Sequence, residues 1–274
     1  MFKKIAIIGT GLIGGSLGLA IKKNGIAGEV IGISRQAKNI AFAKKIKAID
    51  RGAQDIGIIQ GADLVVFATP VQTIMDLAPS IRRVVLDDCI ITDVGSTKCE
   101  ITVCLEKVFS LFVGSHPLAG SEKSSIRHAD KDLFKGSVCV LTQTRNTDTN
   151  ALKKVEKFWQ QVGTKTITLT PHAHDRILSF VSHLPHAIAF SLMRSVPERF
   201  FGFAAGGLRD STRLAASDSL LWADIFLSNR KNLLSAVRSF KVELSRIERA
   251  VARHDKRRLK NLLAIAQAKR SQLA

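Results

Sequence analysis

The chain opens on an uncharged stretch, Ile5 to Ile21, interrupted by glycines at 9, 11, 14, 15 and 18. Lys3 and Lys4 precede it, so its outline imitates a secretion signal or a short membrane span. The glycines argue against both, and their spacing has a more specific reading. Gly9-Thr10-Gly11-Leu12-Ile13-Gly14 follows the apolar run Ile5-Ala6-Ile7-Ile8 and opens a helical pattern. In a strand–turn–helix of this kind the first glycine permits the tight turn and the second lets the backbone approach a pyrophosphate. The third lets the helix pack closely on the strand. The phosphates would sit on the helix N-terminus, against free N–H groups and the positive end of the dipole. A site for NAD or NADP is therefore expected, with Gly9, Gly11, Leu12, Ile13 and Gly14 in its wall and Thr69 and Pro70 counted with them. An NAD-preferring site places an acid about 20 residues after the loop, on the ribose. Ser34 and Arg35 stand there instead. A hydroxyl and a guanidinium suit a 2′-phosphate, which favours NADP. If Arg35 only stacks on adenine, NAD serves as well.

The first half alternates short apolar runs with helical segments. Strands are expected at 4–8, 30–33, 64–68, 89–93, 111–114, 137–142 and 166–170, and helices at 14–23 and 150–162 among others. Such alternation implies α/β structure with a parallel, doubly wound sheet covered on both faces. After about Pro171 helical periodicity takes over, so a boundary near residues 165–172 is expected, with a dinucleotide-binding α/β domain over 1–170 and an all-α domain over 171–274. Residues 228–274 read as two long helices broken near His254-Asp255. Their leucines, isoleucines and alanines exceed what one small helical domain can hide, which points to a homodimer through these helices.

Charge adds a competing possibility. The net charge is +18, and 228–274 hold 13 Lys/Arg against 3 Asp/Glu. A nucleic-acid-binding role is the reading this charge invites, but no binding module accompanies it and few aromatics lie near the basic tail. A solvated basic face accounts for the tail. Four cysteines without a CxxC pair argue against a disulfide framework or zinc cage and fit a cytoplasmic protein. No other stretch offers a membrane span.

Three polar clusters stand out. Thr92 to Lys98 and Gly114 to Glu122 each follow an expected strand, where open α/β sheets bind ligands. The third comprises Ser182-His183-Leu184-Pro185-His186 with Gly206 to Arg213. His116 has the chemistry to accept a proton from an alcohol that loses hydride, although a histidine before proline also reads as structural. Ser96 reads as a hydrogen-bond partner of that alcohol or as a helix N-cap. Arg213 reads as a carboxylate clamp or as a salt-bridge partner of Asp210 or Asp218. The pairs His183/His186 and His172/His174 lack the carboxylates or cysteines that would complete a metal site.

Taken in order, these segments resemble the prephenate/arogenate dehydrogenases of tyrosine biosynthesis. The resemblance rests on the glycine-rich opening, Asp93-Val94-Gly95-Ser96-Thr97-Lys98, the string from Gly114 through His116 to Glu122, His174-Asp175, Ser182 to His186, and Arg209-Asp210-Ser211-Thr212-Arg213-Leu214-Ala215. It spans nearly the whole chain. It implies a Rossmann domain joined to a helical dimerisation domain, and oxidative decarboxylation of a cyclohexadienol with a nicotinamide as hydride acceptor. It implies that His116 polarises the ring hydroxyl, that Ser96 hydrogen-bonds it, and that Arg213 binds a substrate carboxylate. His186, Ser182 and His183 would line the pocket, with Ser121 and Glu122 near its entrance. Ser125 and Ser219 depart from the family, which often has glycine and proline there. No separate regulatory domain, and no fused mutase, is expected in this length. A β-hydroxyacid dehydrogenase is the alternative enzyme class; it would need a lysine-bearing Gly-rich helix where Ser182 to His186 stand.

Overall fold

The computed structural model describes residues 2–120 and 125–273. Its centre is an eight-stranded sheet with strands β1 (Phe2–Ile8), β2 (Ala27–Ile33), β3 (Arg51–Ala53), β4 (Leu64–Phe67), β5 (Ile90–Asp93), β6 (Phe112–Pro117), β7 (Val138–Thr142) and β8 (Lys165–Leu169). They lie in the order β3-β2-β1-β4-β5-β6-β7-β8. Helices α1 (Leu12–Lys23), α2 (Ala37–Lys45), α3 (Val71–Arg82), α4 (Cys99–Leu105) and α5 (Thr149–Val162) join them. The expected strands are all present, and β3 is an addition. All neighbours run parallel except β6 and β7, which pair antiparallel. The doubly wound parallel sheet expected from alternation is thus present, with one antiparallel pairing near its β8 edge. The reason is the link between β6 and β7: among its described residues it has only one short 3-10 turn, Ile126–His128. Without a crossover helix a strand returns beside its predecessor in the opposite direction.

The period of two in β1 sorts its side chains onto two cores. Ile5 and Ile7 pack with Leu17, Ile21, Phe158 and Trp159 on one face, whereas Ala6 and Ile8 pack with Phe67, Ile74, Ile81 and Phe112 on the other. Helix α5 shows how local sequence shapes this layer. Asp148 caps it by accepting from the Ala151 N–H at 2.7 Å, and Gly163 ends it at φ +111°. Its buried Ala151, Val155, Phe158, Trp159 and Val162 recur at helical spacing.

Beyond the sheet follow α6 (Pro171–Leu178), a π-helical turn at Ser179–His183, α7 (Leu184–Ser195), α8 (Gly206–Thr212), α9 (Ser219–Ser228), α10 (Arg230–Ala252) and α11 (Lys256–Arg270). The chain forms two compact units, Met1–Asn229 and Arg230–Ala274. In the second, α10 and α11 pack on each other across a turn at His254, φ +51°, and Asp255 caps α11. Leu234, Val242, Leu244, Ile247, Val251, Leu263 and Ile265 are exposed on them. No described helix is long and apolar enough to cross a membrane.

The strand order reverses between β1 and β4, so the carboxyl ends of these strands open a crevice at the switch point. Gly14 closes the floor of that crevice: a Cβ there would stand 1.9 Å from the Gly9 carbonyl oxygen. Gly14→Ala should therefore cost more than about 2 kcal/mol in chemical denaturation. An unchanged midpoint would show that α1 does not pack as described.

Candidate active site

The turn after β1 has the shape of a phosphate cradle. Gly9 lies at φ +105°, and a Cβ on it would come within 2.4 Å of the Ala68 carbonyl oxygen at the end of β4. Helix α1 starts behind Gly11 with no side chain capping it, so its first N–H groups face an acceptor that the helix itself does not supply. Leu12 and Ile13 form that first turn, and Thr69 and Pro70 stand across the crevice before α3. The hydroxyls of Thr10 and Thr69 are buried without a hydrogen-bond partner among the described residues. A glycine-walled crevice with open amides and two orphaned hydroxyls fits a dinucleotide. Beyond β2, the Ser34 hydroxyl accepts from the Gln36 N–H at 3.3 Å, and Arg35 is exposed. A cleft of about 370 Å³ lies nearby, lined by Gly11, Gln36, Lys38, Asn39, Phe42 and Arg127 among others. Lys38 and Arg127 are cations there that motif reading missed, because neither belongs to the loop.

The chemical end of the site is set by β5 and β6. Asp93 closes β5, and both its oxygens are engaged. Oδ2 accepts from the Gly95 N–H at 2.7 Å and Oδ1 from the Ser115 N–H at 3.1 Å. Lys98, fully buried, turns back to pair with Asp93 and donates to the Ser115 carbonyl at 2.7 Å. Burial pulls its pKa down, and the Asp93 charge opposes that. Thr92 adds hydrogen bonds to the Val113 carbonyl at 2.7 Å and the Ser115 hydroxyl at 2.6 Å. These contacts fix the backbone immediately before His116. Ser96 lies half-buried in the loop after β5, the strand beside β6. It caps nothing. Helix α4 begins at Cys99, and its first amides, Lys98 and Cys99, are held by the Asp175 carboxylate at 2.7 and 2.9 Å. The N-cap reading of Ser96, with Lys98 in the first turn, is corrected on that ground.

His116 itself is half-buried. Its Nδ1 lies 2.8 Å from His174 Nε2, and His174 Nδ1 lies 2.7 Å from Asp175 Oδ1. Burial, then the neighbouring His174 and Lys98, holds the His116 pKa well below the ordinary histidine value. Burial also works to raise the Asp175 pKa. Hydrogen bonds from His174 and Cys99 more than cancel this, and the carboxyl lies below its usual range.

The helices supply the rest of the wall. His183 is buried in the π-helical turn, where Asn229 Nδ2 donates to its Nδ1 at 3.1 Å and to the Asp175 carbonyl at 2.7 Å. Burial lowers its pKa to about 4. His186, one turn into α7, donates from Nδ1 to the half-buried Ser182's carbonyl at 2.9 Å and stacks on Trp222 of α9 at 3.4 Å. Burial lowers the His186 pKa, and the nearby Arg213 guanidinium lowers it further. The structure thus brings His116, His174, Asp175 and Lys98 together, and His183, tied to Asp175 through Asn229, leads on to His186, Trp222 and Arg213. Ser121 and Glu122 lie outside the described residues. Among the described residues no three His, Cys, Asp or Glu side chains converge to hold a metal ion. Trp222 and Asn229 were missed in the sequence; a tryptophan within the apolar stretch 219–228 was the available signal for the first, and nothing marked the second.

In sequence and fold the chain is similar to known proteins. The prephenate dehydrogenase nucleotide-binding domain model matches residues 17–168, and the prephenate dehydrogenase dimerization domain model matches residues 170–265. The prephenate dehydrogenase of Bacillus subtilis is 35% identical over 262 residues, which is 92% of this chain and 71% of that protein. The cyclohexadienyl dehydrogenase of Zymomonas mobilis is 32% identical over 93% of this chain and 90% of its own length. Among solved structures, prephenate dehydrogenase from Aquifex aeolicus in complex with hydroxyphenyl propionate and NAD+ superposes with a TM-score of 0.95. It is 31% identical, and the match covers 100% of this chain and 99% of that one.

The Lys98–Asp93 pair is buried on both sides, so losing one partner leaves the other charge uncompensated. Lys98→Met keeps the volume but strands a buried carboxylate, so it should destabilise the fold by about 3–5 kcal/mol. Urea unfolding measures this; a loss under 1 kcal/mol would mean the pair is not buried in solution.

Proposed function

Because the chain belongs to the prephenate dehydrogenase family, we propose how its own residues carry out the family's reaction, the NAD(P)-dependent oxidative decarboxylation of prephenate or arogenate. Bound NAD(P)+ supplies the hydride acceptor. Gly9, Gly11, Leu12, Ile13 and Gly14 cradle its phosphates, with Thr69 and Pro70 across the crevice. His116, neutral at pH 7, takes the proton of the ring hydroxyl as hydride departs, and Ser96 orients that hydroxyl. The hydroxyl-bearing ring carbon becomes a C=O within the ring; loss of the ring carboxylate as carbon dioxide leaves its electron pair in the ring, which becomes an aromatic phenolate, and the phenolate oxygen recovers the proton from His116. The protein therefore has mainly to position the groups and to supply one proton acceptor. Arg213 binds a substrate carboxylate, and His186, Ser182 and His183 line the pocket.

The observation that carries this reading is His116 itself. It stands at the carboxyl end of β6, two strands along from β4, on a backbone clamped by Asp93 and Lys98. Ser34 and Arg35, in place of an acid, favour NADP, and Lys38 and Arg127 add positive charge near that end of the crevice. The exposed apolar side chains of α10 and α11 support a homodimer through the C-terminal helices. The unpaired cysteines fit a cytoplasmic setting.

Purified protein offered prephenate and arogenate with NAD+ and NADP+ separately should reduce the nicotinamide with at least one substrate. His116→Ala should cut kcat by roughly 10²–10⁴-fold. Arg35→Ser should raise the KM for NADP+ at least roughly tenfold while leaving that for NAD+ little changed. No turnover in any combination would sink the reading.

A further inference from the structure

An imidazole accepts a proton only on the nitrogen that carries none, and a neutral histidine has two choices. The reading above, on which this inference rests, needs a bare Nε2 on His116. The residues behind His116 decide which nitrogen is bare, and they can be followed atom by atom.

The chain of hydrogen bonds starts at Asp175. Its carboxylate accepts from two backbone amides, Lys98 N–H at 2.7 Å and Cys99 N–H at 2.9 Å. A carboxyl that receives two amides is held as the anion, and an anion can only accept from His174 Nδ1, 2.7 Å away. His174 therefore carries its proton on Nδ1. In the neutral ring its Nε2 is then an acceptor, and the group 2.8 Å from it is His116 Nδ1. That contact is a hydrogen bond only if His116 Nδ1 carries a proton, which leaves His116 Nε2 bare. Among the described residues nothing hydrogen-bonds that Nε2.

We propose that His174 and Asp175 are positioning residues that fix His116 in the Nδ1–H tautomer, so that its Nε2 is the proton acceptor for the substrate hydroxyl. When Nε2 takes the hydroxyl proton, the hydride leaves the same carbon and the oxygen keeps the electron pair of the broken O–H bond to form the C=O. His116 becomes an imidazolium whose Nδ1–H still points at His174 Nε2. The new positive charge is stabilised through His174 by the Asp175 carboxylate. Two further features hold the orienting pair in place. His174 and Asp175 are almost fully buried, and Asn229 ties the Asp175 carbonyl to His183. Among the described residues, the other charged or titratable groups facing His116 are Lys98 and His183. Lys98 is committed to Asp93 and the Ser115 carbonyl, and His183 Nδ1 to Asn229.

The test uses full-length protein labelled with ¹⁵N-histidine, with His116 signals assigned by their loss in His116→Gln. Nitrogen shifts and couplings distinguish a protonated ring nitrogen from a bare one. Wild-type protein should show His116 protonated at Nδ1 and bare at Nε2. His174→Leu removes the acceptor, so the Nε2–H form should become populated. Its kcat should fall at least roughly tenfold, with the KM for substrate and cofactor within about twofold. His174→Gln keeps an amide oxygen that can accept from Nδ1–H and should restore the wild-type tautomer and most of kcat. A wild-type His116 protonated at Nε2 would overturn the proposal, as would a His174→Leu variant whose tautomer and kcat match wild type. Because the tautomer is read without turnover, a protein that oxidised neither prephenate nor arogenate would fail the functional reading while the spectra still decided this one.

Discussion

A single buried ion pair organises the working end of this molecule. Lys98 and Asp93 both have no solvent exposure, and each has further partners that satisfy it: Asp93 holds two backbone amides, and Lys98 holds the Ser115 carbonyl. Burying two charges costs several kcal/mol per ion, and only a fully hydrogen-bonded geometry offsets that. Such a pair adds little net stability over an apolar substitute. What it adds is position: it binds the end of β5 to the start of the β6 terminus, one residue before His116. The same lysine's backbone N–H is gripped by Asp175. One residue therefore couples the sheet to the helix that carries His174.

The opposite side of the crevice is governed by steric exclusion. Neither Gly9 nor Gly14 has room for a Cβ, so backbone approaches backbone where strand, turn and helix meet. The α1 amides and the two orphaned threonine hydroxyls then face the crevice as a polar lining. The two constraints divide the labour. Missing side chains make the wall of the crevice, and buried, paired side chains make the support behind His116.

Much of this was legible in the sequence, for a physical reason in each case. The glycine turn is a local signal, since its strand, loop and helix are contiguous. The apolar runs announced the strands because both faces of the sheet are covered. His116, His183, His186 and Arg213 were legible as polar groups set among apolar or glycine-rich residues. What escaped depends on neighbours distant in the chain. A lysine in a Ser-Thr loop carries no mark of its ion pair until β6 is seen to bring a carbonyl beside the Asp93 carboxylate. The reversal of β7 depends on a linker whose described residues hold no α-helix. His174-Asp175 was visible as a motif, but its use was not, because Lys98, Cys99 and His116 reach it from 58 to 77 residues away. Asn229 acts across a comparable separation, 54 residues from Asp175.

The central claim is that His116 is neutral at working pH and takes the substrate's proton. Its pKa is lowered in the folded protein, so its protonation, and with it the loss of the base, should occur on the acid side of 6.5. The most direct measurement is the pH dependence of kcat/KM with saturating nicotinamide cofactor. The account predicts full activity at pH 7 and an acid limb falling tenfold per pH unit below an apparent pKa under 6.5, absent from the residual activity of His116→Asn. An acid limb centred above 6.5, or one retained unchanged in that variant, would contradict it.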